Sequence, residues 1–467
     1  MGWMLGLPES ILFLIIAGIL LFQLLIPPIV GLADNGDYPR VLEPVGLETT
    51  AEGYAERYGL YVNRRYRAVP RVGRISMLSS ELILAGTAVQ LDRLITDDDE
   101  FDLVVMGTIH LAGYLFGIYL ILLATQTFPL PARVVIGFAV LSVGTDVAYV
   151  AVLNSFYQEA AGLVFFTILI GISLVAMRAE RPSRWHLMSF FECAALFVSA
   201  KAQYYPLVLP LLASPLFLLR RPDLRTGRSL VVALLVALLL FVGFLYAHLP
   251  STLRAVNLWH ALFMNILVDS NSPGRDLEEF DLDHDHVRFV GVGAFVPGVP
   301  LHEVTAHFGF GDVGKFYARH PVRFLRIGNR VAKSTFVHRD PDYGNFTRTA
   351  EKAPRALSRS VFGWSELQTR MFPKSLGFVG AFLAIFIVLT SWEILRARQA
   401  CRGTQTAVFC LVVAMMAISQ LVIVIAVEGT VDVVKHLYMF QLLFDLCLIA
   451  SVAWLLGRLG TLVPGRS

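Results

Sequence analysis

Residues 11–40 read ILFLIIAGILLFQLLIPPIVGLADNGDYPR, an apolar run that changes to polar side chains within a few positions. An apolar stretch of about 20 residues is long enough to cross the hydrocarbon core of a bilayer as a helix. The run therefore predicts a first transmembrane helix. Because no small-residue cleavage pattern follows a short apolar core, we interpret it as an uncleaved anchor. The acids that follow it are then predicted to lie at the membrane surface.

The composition of the whole chain indicates an integral membrane protein. Of its 467 residues, 56% are hydrophobic and 16% are charged, and the mean hydropathy is +0.63. About a quarter of the residues of a soluble protein are charged. The formal net charge of +3 is too small to indicate a nucleic-acid partner. The four cysteines show neither a disulfide framework nor a zinc-site spacing.

Apolar runs recur along the chain and predict an α-helical polytopic fold with about ten transmembrane helices. Pro206 and Pro210 interrupt the sixth run, so the fifth and sixth runs are compatible either with two spans or with one re-entrant hairpin. The runs cover roughly 9–30, 102–124, 134–153, 160–177, 186–200, 204–219, 229–248, 375–395, 405–427 and 437–457.

The distribution of arginine predicts the orientation of these helices. With the N-terminus inside, the short outer connections carry only Lys201 and Lys435, whereas the short inner connections carry thirteen arginines. Such an excess indicates the cytoplasmic side. Both termini are therefore predicted to be cytoplasmic. The inner arginines are Arg133, Arg178, Arg181, Arg184, Arg220, Arg221, Arg225, Arg228, Arg396, Arg398, Arg402, Arg458 and Arg466.

This topology divides the chain into three parts. Residues 1–248 form an N-terminal transmembrane core that contains a first outer loop, 31–101. Residues 249–374 form a large outer segment, and residues 375–467 form the C-terminal transmembrane helices. Two amphipathic stretches, 60–86 and 315–336, mix arginine with apolar residues and predict interfacial helices. For the arginines of 60–86 the alternative is a solvated loop that pairs with lipid phosphates.

Acidic residues gather at the predicted outer face. Asp34 and Asp37 follow the first helix, with Arg40 close behind them, and Asp146 and Glu159 flank the second outer connection. A charged side chain within the bilayer costs about 2.5–3.5 kcal/mol, so Asp146 and Glu159 are functional candidates. Alternatively, Asp146 bonds a neighbouring helix and Glu159 is a boundary residue beyond the hydrocarbon.

Basic residues occur at later outer connections. Lys201 and Gln203 lie in SAKAQYYP, residues 199–206, while Lys435 and His436 follow Asp432 in EGTVDVVKHLYMF, residues 428–440. Lysine and histidine on one short segment suit a phosphate. The alternatives are a lysine that reaches the interface at 201 and a structural ion pair between residues 432 and 435.

Five of these segments together resemble the GT-C class of integral membrane glycosyltransferases, in particular a bacterial hexose-transferase branch linked to surface-glycan assembly. They are ADNGDYPR, NSFYQE, SAKAQ, YARHP and VDVVKHLYMF, within residues 33–440. The resemblance implies a GT-C fold with an outer-face loop domain. It also implies inverting transfer of a hexose or pentose from a polyprenyl-phosphate carrier to a glycan or lipid-linked acceptor. The expected location is the bacterial inner (cytoplasmic) membrane, with the active site facing the periplasm or cell wall.

The resemblance also implies roles for individual residues. Asp37 matches the general base, with Asp34 as its rival, and Glu159 matches the acid of the second outer loop. The acid pair is often contiguous in the family, whereas Asn-Gly separates it here. No residue is assigned to a metal site, and the cofactor is left unknown, with a divalent cation left open. The substrate-binding candidates are Arg40, Asp146, Tyr157, Lys201, Gln203, Arg323, Asp432, Lys435 and His436.

Two other functional classes remain open from the sequence. A transporter or flippase of a lipid-linked glycan also has many spans, but such proteins contain internal repeats and midplane binding sites. This sequence shows no convincing repeat, and its charges gather at one face. A hydrolase with two carboxylates about 5–5.5 Å apart is chemically feasible. Hydrolysis gives no reason for the basic residues or for a site embedded in lipid.

Overall fold

The computed structural model is mostly helical and describes residues 4–69, 77–96, 98–179, 183–218, 227–396 and 402–462. It confirms an α-helical polytopic membrane protein. Several arginines used for the orientation lie outside the described residues, namely Arg181, Arg220, Arg221, Arg225, Arg398 and Arg466.

Seven helices in the described part of the chain are long and apolar enough to cross a membrane. An eighth span arises if Leu130–Ser142 and Val147–Leu153, which meet at 59°, count as one. The seven helices are Leu7–Leu25, Leu103–Thr125, Gln158–Arg178, Arg228–Ala247, Leu376–Arg396, Thr404–Glu428 and Tyr438–Gly457. The last of these helices continues to Leu462, and the one before it begins at Arg402 and ends in the π-helical turn Val424–Glu428.

The fifth predicted run is a single helix that is shorter than these seven, and the sixth is broken into pieces. The fifth forms Arg184–Ala200, which has 17 residues. The sixth divides into the 3-10 helix Ala202–Leu207 and the short helices Val208–Leu211 and Ala213–Leu218. Proline lacks an N–H and clashes with the preceding turn, which accounts for the breaks near Pro206 and Pro210.

Gln158–Arg178 lies at the centre of the bundle and packs against Leu103–Thr125 along its length. Glycines permit this close approach. A Cβ at Gly117 would lie 2.8 Å from the backbone nitrogen of Ile168, and one at Gly171 would lie 2.5 Å from the Cβ of Leu120. Small residues at helix crossings are a common packing device in membranes.

The first outer loop contains a three-stranded antiparallel sheet, which corrects part of the interfacial-helix prediction for 60–86. Its strands are Leu47–Thr49, Arg65–Ala68 and Glu100–Asp102, in that order. Tyr66 is buried between the exposed Arg65 and Arg67. This alternation has the period of a strand. Residues 70–76 lie outside the described part, and a helix follows at Glu81–Ile95.

The large outer segment is a series of short elements. Phe310–Arg319 and Pro321–Ala332 cover much of the predicted interfacial stretch 315–336 and meet at His320. The first outer loop adds Pro39–Leu42, Glu43–Val45 and Tyr54–Arg57. The other elements of the large segment are Ser251–Trp259, His260–Ile266, Leu267–Asp269, Pro273–Glu278, His284–Phe289, Leu301–Thr305, Arg348–Ala350 and Gly363–Met371.

Backbone pairing joins the two outer segments beside the first helix. The N–H of Gly31 donates to the carbonyl of Asn345, and the N–H of Ala33 donates to the carbonyl of Gly344, both at 3.0 Å. The side-chain amide of Asn345 returns a 2.8 Å bond to the carbonyl of Gly31. This pairing fixes the path of the chain just after the first helix, and therefore the position of Asp34 and Asp37.

The buried carboxylate of Asp445 holds Gly363–Met371 of the outer segment against the bundle. It accepts hydrogen bonds from Tyr149 and Trp364 at 2.8 Å and from the Gln368 amide at 2.6 Å. Three donors on one carboxylate satisfy a charge that would otherwise be costly to bury.

Asp445→Leu is expected to destabilise the folded protein, because leucine leaves these donors without an acceptor in a buried site. Each unsatisfied donor costs about 1–3 kcal/mol. Thermal unfolding in detergent should show a lower midpoint than wild type. Asp445→Asn retains one acceptor oxygen, and its unfolding midpoint should lie between those of Asp445→Leu and wild type. Equal midpoints for Asp445→Leu and wild type would contradict this role.

Candidate functional site

The turn at residues 34–38 separates the two aspartates. The Oδ1 atom of Asp34 accepts from the N–H groups of Gly36 at 2.7 Å and Tyr38 at 3.2 Å. Aspartate commonly closes turns on its own backbone in this way, and Gly36 supplies the positive φ of 104° that the turn requires. Burial raises the pKa of Asp34, against the effect of the two N–H bonds. Asp34 thus supports the loop, and Asp37 projects from it.

Asp37 forms ion pairs with Lys435 and Arg40. The Lys435 ammonium contacts Oδ2, and the Arg40 guanidinium lies 2.8 Å from Oδ1. The side chain of Asp37 is 26% exposed and that of Lys435 only 9%. Burial acts to raise the pKa of Asp37, but Lys435 and Arg40 hold it below its usual value. Burial acts to lower the pKa of Lys435, but Asp37 and Glu159 raise it above its usual value.

A second ion pair lies beside the first. The ammonium of Lys201 is 2.8 Å from Oε1 of Glu159 and 3.4 Å from Nδ1 of His436. His436 also lies 3.5 Å from Glu428, and its backbone carbonyl accepts a 2.9 Å bond from the amide of Gln203. Burial lowers the pKa of His436, and the neighbouring lysines lower it further. The imidazole is therefore neutral at neutral pH.

Tyr157 and Asn35 connect the emerging loop to this network. The Lys435 ammonium lies 4.4 Å from the centre of the Tyr157 ring, a favourable cation–π distance, and 3.3 Å from Oδ1 of Asn35. The Tyr157 hydroxyl accepts from the N–H of Asn35 at 2.8 Å and donates to the carbonyl of Ala33 at 2.7 Å. Asp432 accepts from the side chains of Asn35 at 3.3 Å and Tyr343 at 3.0 Å.

The structure thus brings ten of the twelve predicted residues into one region at one end of the bundle, where the helices ending at Ala200 and Glu428 meet those beginning at Gln158 and Tyr438. We call this group the acid–base network. It comprises Asp34, Asp37, Arg40, Tyr157, Glu159, Lys201, Gln203, Asp432, Lys435 and His436.

Arg323 and Asp146 lie outside the network, each with partners within the protein. Arg323 donates to Asp276 at 2.7 Å and to the carbonyl of Ile266 at 2.8 Å. Asp146 accepts from the N–H of Ala148 at 2.9 Å and from the N–H and hydroxyl of Ser365 at 2.8 Å each. These contacts join Arg323 to the outer segment and make Asp146 a cap of two helices, in agreement with the alternative that Asp146 bonds a neighbouring helix. The substrate-binding role of both residues stays a prediction.

An open cavity of about 60 Å³ adjoins the network. The bundle contributes Tyr157, Glu159 and Lys435 to its lining, and the outer segment contributes Arg339 and Tyr343. We call this cavity the cleft. Sequence reasoning missed both outer residues. The polar run HRDPDYGN, residues 338–345, is rich in turn-forming residues and was the available signal.

The described residues include no group of three or more His, Cys, Asp or Glu side chains placed to hold a metal ion. The family model described as the YfdI N-terminal transmembrane domain matches residues 3–463 of the chain. No curated protein and no solved structure matches the chain.

Proposed function

The chain belongs to the YfdI N-terminal transmembrane domain family, a GT-C-like membrane glycosyltransferase family, and we propose that it transfers a monosaccharide from a polyprenyl-phosphate carrier. The acceptor is a glycan or a lipid-linked glycan. The reaction takes place at the outer face of the bacterial cytoplasmic membrane, as the positive-inside distribution of arginine suggests. Asp37 is the general base, and the anomeric configuration inverts.

The pairing of Asp37 with Lys435 beside the cleft is the observation that carries this proposal. Lys435, which is nearly buried, lines the cleft, and it pairs with the partly exposed carboxylate of Asp37. Glu159, paired with Lys201, also lines the cleft. Glycosyl transfer from a lipid phosphate requires a base for the acceptor hydroxyl and cations near the leaving phosphate.

In the proposed reaction the acceptor oxygen attacks the anomeric carbon from the side opposite the phosphate. Asp37 takes the hydroxyl proton as the new carbon–oxygen bond forms. The bond between the anomeric carbon and the phosphate oxygen breaks, and its electron pair leaves with the polyprenyl phosphate. A single displacement of this kind inverts the anomeric centre.

The ion pairs of Asp37 explain how it becomes basic at the required moment. In the free protein Lys435 and Arg40 hold its pKa low, which makes it a weak base. An approaching phosphate attracts Lys435 and weakens its interaction with the carboxylate. The pKa of Asp37 then rises towards its ordinary value, closer to the working pH, where proton transfer is more efficient.

Vesicles that contain the purified protein test this proposal against transport and hydrolysis. They are supplied with a radiolabelled polyprenyl-phosphate sugar and a bacterial lipid-linked glycan extract. We expect the label to move onto the acceptor fraction. Movement of intact lipid-linked glycan across the bilayer without sugar transfer would overturn the proposal in favour of a flippase. Release of free sugar, with none transferred, would indicate a hydrolase.

A further inference from the structure

Arg339 differs from the other cations near the cleft because it has no carboxylate partner. It lines the cleft and is half-buried, yet it forms no ion pair within 4.0 Å in the part of the chain that the structure describes. Lys201 and Lys435, by contrast, are each paired with an acid. A guanidinium removed from water without an anion is costly. This arrangement indicates an anion that arrives with a ligand.

The protein contacts of Arg339 leave most of its donors free. Its Nη1 atom donates to the carbonyl of Ser358 at 2.5 Å, and the guanidinium lies 5.5 Å from the centre of the Phe362 ring. A guanidinium has five N–H donors. Asp146 and Glu366 are the acids whose charges act on it, and burial, the largest effect, lowers its pKa. The oxygens of Asp146 already accept bonds from Ser365 and Ala148.

The acid–base network offers an incoming anion little net attraction. The network contains four acids, Asp34, Asp37, Glu159 and Asp432, and three cations, Arg40, Lys201 and Lys435. Glu428, which lies 3.5 Å from His436, adds a further acid. Among the described residues that line the cleft, which also include Asp340, Arg339 is the cation without an ion pair within 4.0 Å.

His338 provides a second observation at the same place. Its ring lines the cleft and is 8% exposed. Neither ring nitrogen makes a hydrogen bond of normal geometry among the described residues, although Gln368 and the Phe336 backbone lie close by. Burial lowers the pKa of His338 to about 4, so the ring is neutral at neutral pH. Its N–H can donate to a phosphate oxygen without first taking up a proton.

We propose that Arg339, assisted by the N–H of His338, binds the phosphate group of a lipid phosphate in the cleft. The planar guanidinium matches two phosphate oxygens at once, which a lysine ammonium cannot do. If the proposed function is correct, this phosphate belongs to the lipid donor, a phosphodiester, and, after transfer, to the departing polyprenyl phosphate, a monoester. Arg339 then binds the donor, and Lys435 controls Asp37.

Binding of farnesyl phosphate to the full chain in nanodiscs tests this assignment. We expect Arg339→Gln to weaken binding about tenfold to a hundredfold, the range for hydrogen bonds to charged groups. Arg339→Lys keeps the charge without the planar fork and should be intermediate. Arg359→Gln removes an exposed positive charge from the same segment, does not line the cleft, and should bind as wild type does.

Two further probes identify the source of the phosphate. Farnesol has the same chain without the phosphate, and its binding should be unaffected by Arg339→Gln. Inorganic phosphate should compete only weakly if the ligand is a lipid phosphate. Competition by inorganic phosphate at the same concentration as farnesyl phosphate would assign the site to the free ion instead.

Three outcomes would overturn the assignment. They are wild-type affinity in Arg339→Gln, an equal loss in Arg359→Gln, and no binding of farnesyl phosphate or inorganic phosphate by wild type. If Arg339→Gln fails to fold, the Arg339→Lys comparison decides, and wild-type affinity in that variant would refute the need for the fork. Phosphate binding that depends on Arg339 in a protein without sugar transfer would keep this inference and overturn only the proposed function.

Discussion

Asp37→Asn is expected to abolish sugar transfer while the protein remains folded. The amide preserves the size of the side chain but cannot take the proton of the acceptor hydroxyl. A placed general base contributes about 10²–10⁴ in rate, so the loss should be of that order. The measurement is transfer from labelled polyprenyl-phosphate sugar by purified protein, with thermal unfolding to confirm the fold.

Asp34→Asn provides the matched control for this experiment. An amide oxygen can still accept the N–H bonds of Gly36 and Tyr38 that the Asp34 carboxylate receives. We therefore expect an intact turn and activity close to that of wild type. A loss in Asp34→Asn with full activity in Asp37→Asn would assign the base to Asp34. Full activity in both variants would move the role to Glu159.

Lys435→Met is expected to have the second largest effect. Methionine fills similar volume but removes the charge that pairs with Asp37 and lies over the Tyr157 ring. Loss of one group that stabilises developing charge typically costs about 10²–10³ in kcat. Because Lys435 lowers the pKa of Asp37, removing it should also move the acidic limb of the pH–rate profile to higher pH.

Lys315→Met serves as the control, since this lysine is 69% exposed on the outer segment and pairs only with Asp312 among the described residues. It should change neither kcat nor the pH profile. A Lys435→Met variant with unchanged kcat and an unshifted acidic limb would contradict the control of Asp37 by Lys435.

Substitutions of the two cations of the cleft, Lys435 and Arg339, should also have different kinetic effects. Lys435→Met should act mainly on kcat, and Arg339→Gln mainly on the KM for the lipid donor.

Much of the fold followed from the sequence because hydrophobicity is a local property. The run that ends near residue 30 forms a helix over Leu7–Leu25, and the longest later runs also form single helices. The hydrophobic pattern was less informative about where the chain bends. Residues 134–153 are mostly apolar and were predicted as one span, yet the chain turns through 59° there, where Asp146 caps the next helix and binds Ser365 more than 200 positions away.

The secondary structure of the first outer loop also could not be predicted from local composition alone. Residues 60–86 have the composition of an interfacial helix, but Arg65–Ala68 pairs with two strands, one of them at Glu100–Asp102. Tertiary context selects between helix and strand for short segments of mixed polarity. The alternation around Tyr66 was visible in the sequence, and its burial became clear only from the partners that cover it.

The sequence by itself determined the class of the protein, its principal spans and most candidate residues of the acid–base network. Those conclusions rest on composition and on spacing within single segments. Only the tertiary structure paired Asp37 with Lys435, assigned Asp34 to its own turn, and placed Arg339 at the cleft with no ion pair among the described residues. The physical reason is that an ion pair depends on distance in space, and residues 37 and 435 are brought together by the packing of the whole bundle.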